Sequence, residues 1–139
     1  MPVVLPDTGV WYALFDSRDR YFGDVGQKRD VLDVSQALLP WPVVYETLRT
    51  SFVKNMSALT RFEAYIVGPR VTRIDDAPYR DDALRLALDS SLRRRRPLSM
   101  VDCVIRLILG DQGFAIDALL TFNVGDFADV CRNRGIEIV

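Results

Sequence analysis

The chain alternates between short, nearly continuous apolar runs and longer segments in which apolar side chains recur at helical spacing. Val3 to Leu5 is a short β-branched run, and Asp7-Thr8-Gly9 then supplies a turn and a helix cap ahead of VWYALF. After a polar connection over 16–22, residues 23–37 predict an amphipathic helix carried by Val25, Val31, Leu32 and Val34. Leu38 to Trp41 predicts a strand, and Pro42 suits the first turn of a helix through VVYETLRTSFVKN. Ser57 caps a further helix, ALTRFEAYIV, which Gly68-Pro69 closes. Val71 to Ile74 alternates as a strand, and 79–96 predicts a helix with Ala83, Leu84, Ala87, Leu88 and Leu92 on one stripe. Ser99 caps a helix through LSMVDCVIRLIL; Ala118 to Phe122 is a strand, a short helix follows within 123–135, and Ile136 to Val139 is a last strand. Strands separated by helices predict an α/β domain with a mainly parallel central sheet. Ligand-binding residues in such sheets gather beyond the carboxyl ends of the strands.

At 139 residues with no linker-like stretch, one domain over 1–139 is expected. An apolar share of 49% supports a packed core, and no run approaches the roughly 20 residues that span a bilayer. MPVVLPDTG has neither a basic region nor a long apolar segment, so a cytoplasmic protein without a signal peptide is expected. Cys103 and Cys131 lie in apolar or helical surroundings and read as reduced core thiols.

Histidine is absent, which removes Ser-His-Asp triads, Cys-His pairs and two-histidine ribonuclease chemistry. Two cysteines without histidine cannot complete a zinc shell. Any catalysis therefore falls to carboxylates, hydroxyls, lysine, arginine or an oxygen-bound metal such as Mg2+ or Mn2+. Four acids stand near helix starts that follow strands. Asp7 follows the first strand, Glu46 lies one turn into the helix after LLPW, Asp102 sits in the first turn of its helix, and Asp126 follows LLTF. Clustered carboxylates repel one another unless a cation lies between them. A hard divalent ion both relieves that repulsion and offers Lewis acidity to a phosphodiester. Each acid also has a local reading: Asp7 and Asp126 as helix caps, Glu46 as an exposed partner of Arg49, Asp102 as an intrahelical partner of Arg106. Asp75 and Asp76 read as a turn after a strand.

A net charge of −1 gives no global argument for nucleic acid. The basic block Arg93, Arg94, Arg95 and Arg96 is either a solvated helix end or a phosphate contact, and Arg106 lies within reach of the acids for the same purpose. Trp11, Tyr12 and Phe15, at helical spacing, read as core or dimer contacts.

PDTGVWYALFD, VVYETL, LSMVDCVIRLIL and ALLTFNVGDF, in this order and spacing, resemble the four acidic motifs of PIN domains, including the toxin ribonucleases of toxin–antitoxin pairs. The resemblance covers nearly the whole chain. It implies a three-layer α/β/α sandwich and a ribonuclease that cuts single-stranded RNA with Mg2+ or Mn2+. It further implies a homodimer, and an antitoxin whose C-terminal segment covers the site. Asp7 and Asp102 match the two acids most consistently placed on the metal, and Glu46 matches the third. In the fourth motif many members carry aspartate where this chain has Asn123, and Asp126 stands as the remaining acid; Asn123 retains a carbonyl able to coordinate or to bond RNA. Pro6 and Tyr21, the latter in a region where relatives often have histidine, are further departures that leave the acids intact. The neutral residue at 123 motivates an alternative, a catalytically weak RNA-binding or regulatory domain; a nuclease acting on structured RNA or DNA flaps is another.

Overall fold

A computed structural model describes all residues, Met1–Val139. Five strands form one sheet: β1 (Val3–Pro6), β2 (Gln36–Pro40), β3 (Val71–Ile74), β4 (Ala118–Leu120) and β5 (Glu137–Ile138). Their order is β3-β2-β1-β4-β5 and every pairing is parallel. Val4 and Leu5 on the central strand are fully buried, as are Ala37, Leu39, Leu119 and Leu120 beside them. A parallel sheet needs cover on both faces. Eight helices supply it: α1 (Thr8–Phe15), α2 (Gly26–Asp33), α3 (Trp41–Thr47), α4 (Thr50–Val53), α5 (Met56–Ile66), α6 (Arg80–Leu88), α7 (Met100–Gly110) and α8 (Ala128–Arg134). This is the expected α/β/α sandwich.

Trp11 and Phe15 of α1 stack on each other and meet Phe62 of α5 edge-on at 5.7 Å, with Phe52 of α4 against the same ring. These aromatics are core. Cys103 and Cys131 are free and buried. No helix is long and apolar enough to cross a membrane.

Several predicted boundaries shift. The helix expected over 23–37 occupies only 26–33, because the Ser35 hydroxyl and amide bond back to Val31 and Leu32 and end it, freeing Gln36 and Ala37 to pair in β2. Trp41 opens α3 instead of ending the strand, with Pro42 in the first turn. The helix expected over 43–55 breaks at Leu48, whose ψ of 36° leaves the helical region. The cap before Ala58 is Asn55, not Ser57: the Asn55 side chain accepts from the Ala58 amide at 3.2 Å. The long helix over 79–96 is regular only to Leu88. It widens into a π turn over Asp89–Arg93 and stops where buried Ser90 donates to the Arg96 carbonyl at 2.6 Å. Arg95 then turns with a φ of 53°. Gly135 ends α8 at a φ of 66°, the left-handed cap that glycine takes without strain.

The topology places the functional edge. From β1 the chain builds outward to β2 and β3 on one side and later to β4 and β5 on the other. The crevice between the carboxyl ends of β1 and β4 is the point where strand order reverses, the usual ligand position in such sheets.

Candidate active site

A cavity of about 410 Å³ opens at that crevice, with Asp7, Glu46, Asp102 and Asn123 on its wall. Asp7 is the first residue beyond β1. Its amide donates to the Leu120 carbonyl at 3.0 Å, extending the β1–β4 ladder by one rung, and its carboxylate caps α1 by accepting from the Val10 amide at 3.3 Å. The capping and cavity-lining readings of Asp7 thus hold together. Across the crevice the Thr121 hydroxyl donates to the other Asp7 oxygen, and that hydroxyl accepts from the Asn123 amide at 2.9 Å. Burial raises the Asp7 carboxyl above its ordinary range, and the Thr121 bond partly offsets the rise.

Asp102 enters from α7. Ser99 caps the helix by accepting from the Asp102 amide at 3.1 Å, which fixes the aspartate in the first turn and aims it at the cavity. Its carboxyl is pushed up to about 6, first by burial, next by the charge of Asp126, with Asp7 and Glu46 adding to the rise. The charges of the other three acids thus add to the effect of burial at Asp102. Glu46 of α3 is exposed, and its backbone carbonyl accepts from the Tyr12 hydroxyl, which ties that turn to α1.

Asp126 stands beside the cavity rather than on its wall. It belongs to a 3₁₀ turn, Val124–Asp126, and the Asn123 side-chain amide donates to its carboxylate. Arginines hold that turn from behind. Arg106 donates to the Asp126 carbonyl at 2.7 Å while gripping Asp129 with both terminal nitrogens at 2.7 Å, and Arg96 donates to the Gly125 carbonyl at 2.9 Å. The intrahelical pair of Asp102 with Arg106 does not form, because Asp129 holds that guanidinium. Arg93 and Arg94 pair with Asp89, away from the cavity, and Arg95 forms no ion pair. Asp76 pairs with Arg80 and Asp75 accepts from the Ala77 amide, so both serve the turn.

Thr8, whose buried hydroxyl has no partner, Thr121 and Phe122 fall inside the acidic motifs without a site role of their own legible there, and Arg20 falls outside them. The Thr121–Asp7 bond depends on which strands are neighbours, and adjacency of β1 and β4 is not written in local spacing.

The donor set suits a hard divalent cation: its oxygens come from carboxylates, an amide and a buried, unpartnered hydroxyl, and nitrogen and sulfur donors are missing. As arranged, no three of the acids converge closely enough to grip one cation among them. Gripping an ion would require side-chain rotation, for which exposed Glu46 has the freedom.

No family model matches the sequence, and no curated protein matches it. Among solved structures, Mycobacterium tuberculosis VapC20, a toxin that cleaves the sarcin-ricin loop, aligns with a TM-score of 0.68 over 91% of this chain and 94% of that one, at 19% identity. The fold is VapC-like. At that identity the likeness concerns the fold, and the chemistry rests on the side chains already described.

Proposed function

We propose that the protein is a Mg2+- or Mn2+-dependent endoribonuclease acting on single-stranded RNA, with Asp7, Glu46, Asp102 and Asp126 as its acids. The observation that carries this reading is electrostatic. Burial first, and then the charges of Asp126, Asp7 and Glu46 from three other strand-to-helix connections, push the Asp102 carboxyl up to about 6, a cost that a divalent ion would relieve. The VapC-like fold supports the same conclusion. When bound, the ion supplies Lewis acidity and neutralises charge developing on the phosphodiester. Asp7, anchored by the Val10 amide and the Thr121 hydroxyl, and Asp102, fixed at the start of α7, would hold it. Glu46 and Asp126 would close the shell or accept a proton from the attacking water. Asn123 would bond RNA or the ion through its amide while keeping Asp126 in place.

The test is cleavage of a single-stranded RNA substrate with and without divalent ion. Cleavage that needs Mg2+ or Mn2+ and falls at least a hundredfold in Asp102→Asn is expected, a loss of about 3 kcal/mol of transition-state stabilisation. Undiminished cleavage by Asp102→Asn overturns the reading. The neutral amide at 123 favours a second one, an RNA-binding domain with little turnover, which tight binding without cleavage under either ion would support. From the resemblance of its motifs to PIN-domain toxins, a homodimer and an antitoxin partner belong to the proposal, the first tested by sedimentation of the purified protein and the second by co-purification with the product of an adjacent gene.

A further inference from the structure

The cavity wall is polar except for two side chains, Tyr21 and Phe122, and these stack face to face with centroids 4.2 Å apart and planes 6° from parallel. Tyr21 comes from the loop after α1, and Phe122 from the chain leaving β4. Each outer ring face carries a cation: Lys28 lies 4.3 Å over Phe122, and Arg20 lies 4.4 Å over Tyr21. Arg20 lines the cavity and Lys28 does not, so the Tyr21 face is the one that opens beside Asp7, Glu46 and Asp102. Arg20 is exposed, forms no ion pair and is the cavity's single cation. Its guanidinium makes a cation–π contact with the ring and donates to the Tyr21 hydroxyl; both are exposed contacts, and a base stacked on the ring would replace the first while a phosphate would take over the guanidinium from the second.

We propose that the outer face of Tyr21 is a nucleobase subsite, where an unpaired base stacks on the Tyr21–Phe122 pair while Arg20 swings onto the adjoining phosphate. This deepens the ribonuclease reading and rests on it for the identity of the ligand. The chemistry is general: bases stack on exposed aromatic faces whatever their sequence, and a guanidinium beside such a face meets the backbone. Base pairing into a duplex would hide the face the subsite needs, so it selects single-stranded over paired RNA.

The experiment measures binding, not cleavage, with calcium replacing magnesium. The probes are a short oligoadenylate carrying one 2-aminopurine and a ribose-phosphate oligomer of equal length without bases. Quenching of 2-aminopurine by the wild-type protein and by Tyr21→Phe is expected, with affinities alike. In Tyr21→Leu the quenching disappears and oligoadenylate binds roughly ten- to a hundredfold more weakly, while the baseless oligomer binds as before. Arg20→Gln reduces the salt dependence of binding by about 0.7 in log–log slope, one phosphate's worth. Tyr21→Leu binding like wild type, an equal loss for both oligomers, or no binding of either overturns the subsite. Should Tyr21→Leu fail to fold, equal affinity of wild-type protein for the two oligomers does so. RNA cleavage without quenching removes the subsite and leaves the ribonuclease reading standing; quenching without cleavage under any divalent ion does the reverse.

Discussion

Asp102 carries a cost that folding alone does not repay. Its carboxyl titrates at about 6 in the folded chain against an ordinary 3.8. A raised carboxyl contributes stability that is fully present below about pH 4 and is lost as pH rises through 6. At neutral pH, with chelator present, the charged side chain therefore opposes folding by roughly 1–3 kcal/mol, the lower figure allowing for solvent screening at a half-buried site. Asp102→Asn should melt higher than wild type at pH 7.5 in EDTA, and the gap should close by pH 4, where both side chains are neutral. Equal melting temperatures across that range would mean that the Asp102 carboxyl is not raised in the folded chain. The sequence showed the oddity, an acid in SMVDCVIRLIL, and its cap Ser99. It also offered Arg106 as a local partner, and only the tertiary arrangement gives that arginine to Asp129.

Among the elements, those with strong local chemistry were legible and those ended by distant demands were not. The strand at Val3 to Leu5 (which the fold extends by Pro6), the α1 cap at Asp7 and the α7 cap at Ser99 follow directly from residue types. The helix predicted over 23–37 is shorter because Gln36 and Ala37 pair with β1 and take the ladder, a long-range preference that periodicity does not contain. The turn Val124–Asp126 is a similar case, since its carbonyls are held by Arg96 and Arg106, far away in sequence. That clamp gives the arginine a testable role. Held by Asp129, Arg106 is largely buried and unavailable to a phosphate. Arg106→Met should leave the salt slope of RNA binding unchanged and lower turnover at least tenfold by loosening Asp126. A slope lowered by about 0.7 instead would return Arg106 to phosphate contact.

For the whole molecule, the decisive fact is that the acids become neighbours only when the sheet forms. Asp7 and Asp102 lie far apart in the chain and line one cavity because β4 returns to pair beside β1, closing the crevice that the Asp7–Thr121 bond spans, and α7 presents Asp102 to its wall. An unfolded chain offers a divalent ion scattered single carboxylates, so the ion favours the folded state by mass action. At an ion concentration a hundred times Kd the gain is about 2.7 kcal/mol, enough to raise the melting temperature by several degrees in a domain of this size. Protons compete for the same oxygens, so the Mg2+-induced shift should be largest above pH 7 and shrink as pH falls through 6, where Asp102 takes up its proton. Asp102→Asn, more stable without the ion, should gain little from it, so that added Mg2+ or Mn2+ narrows the difference between the two proteins. Parallel shifts in wild type and variant, independent of pH, would place any bound ion away from the four acids and separate the fold from the chemistry proposed for it.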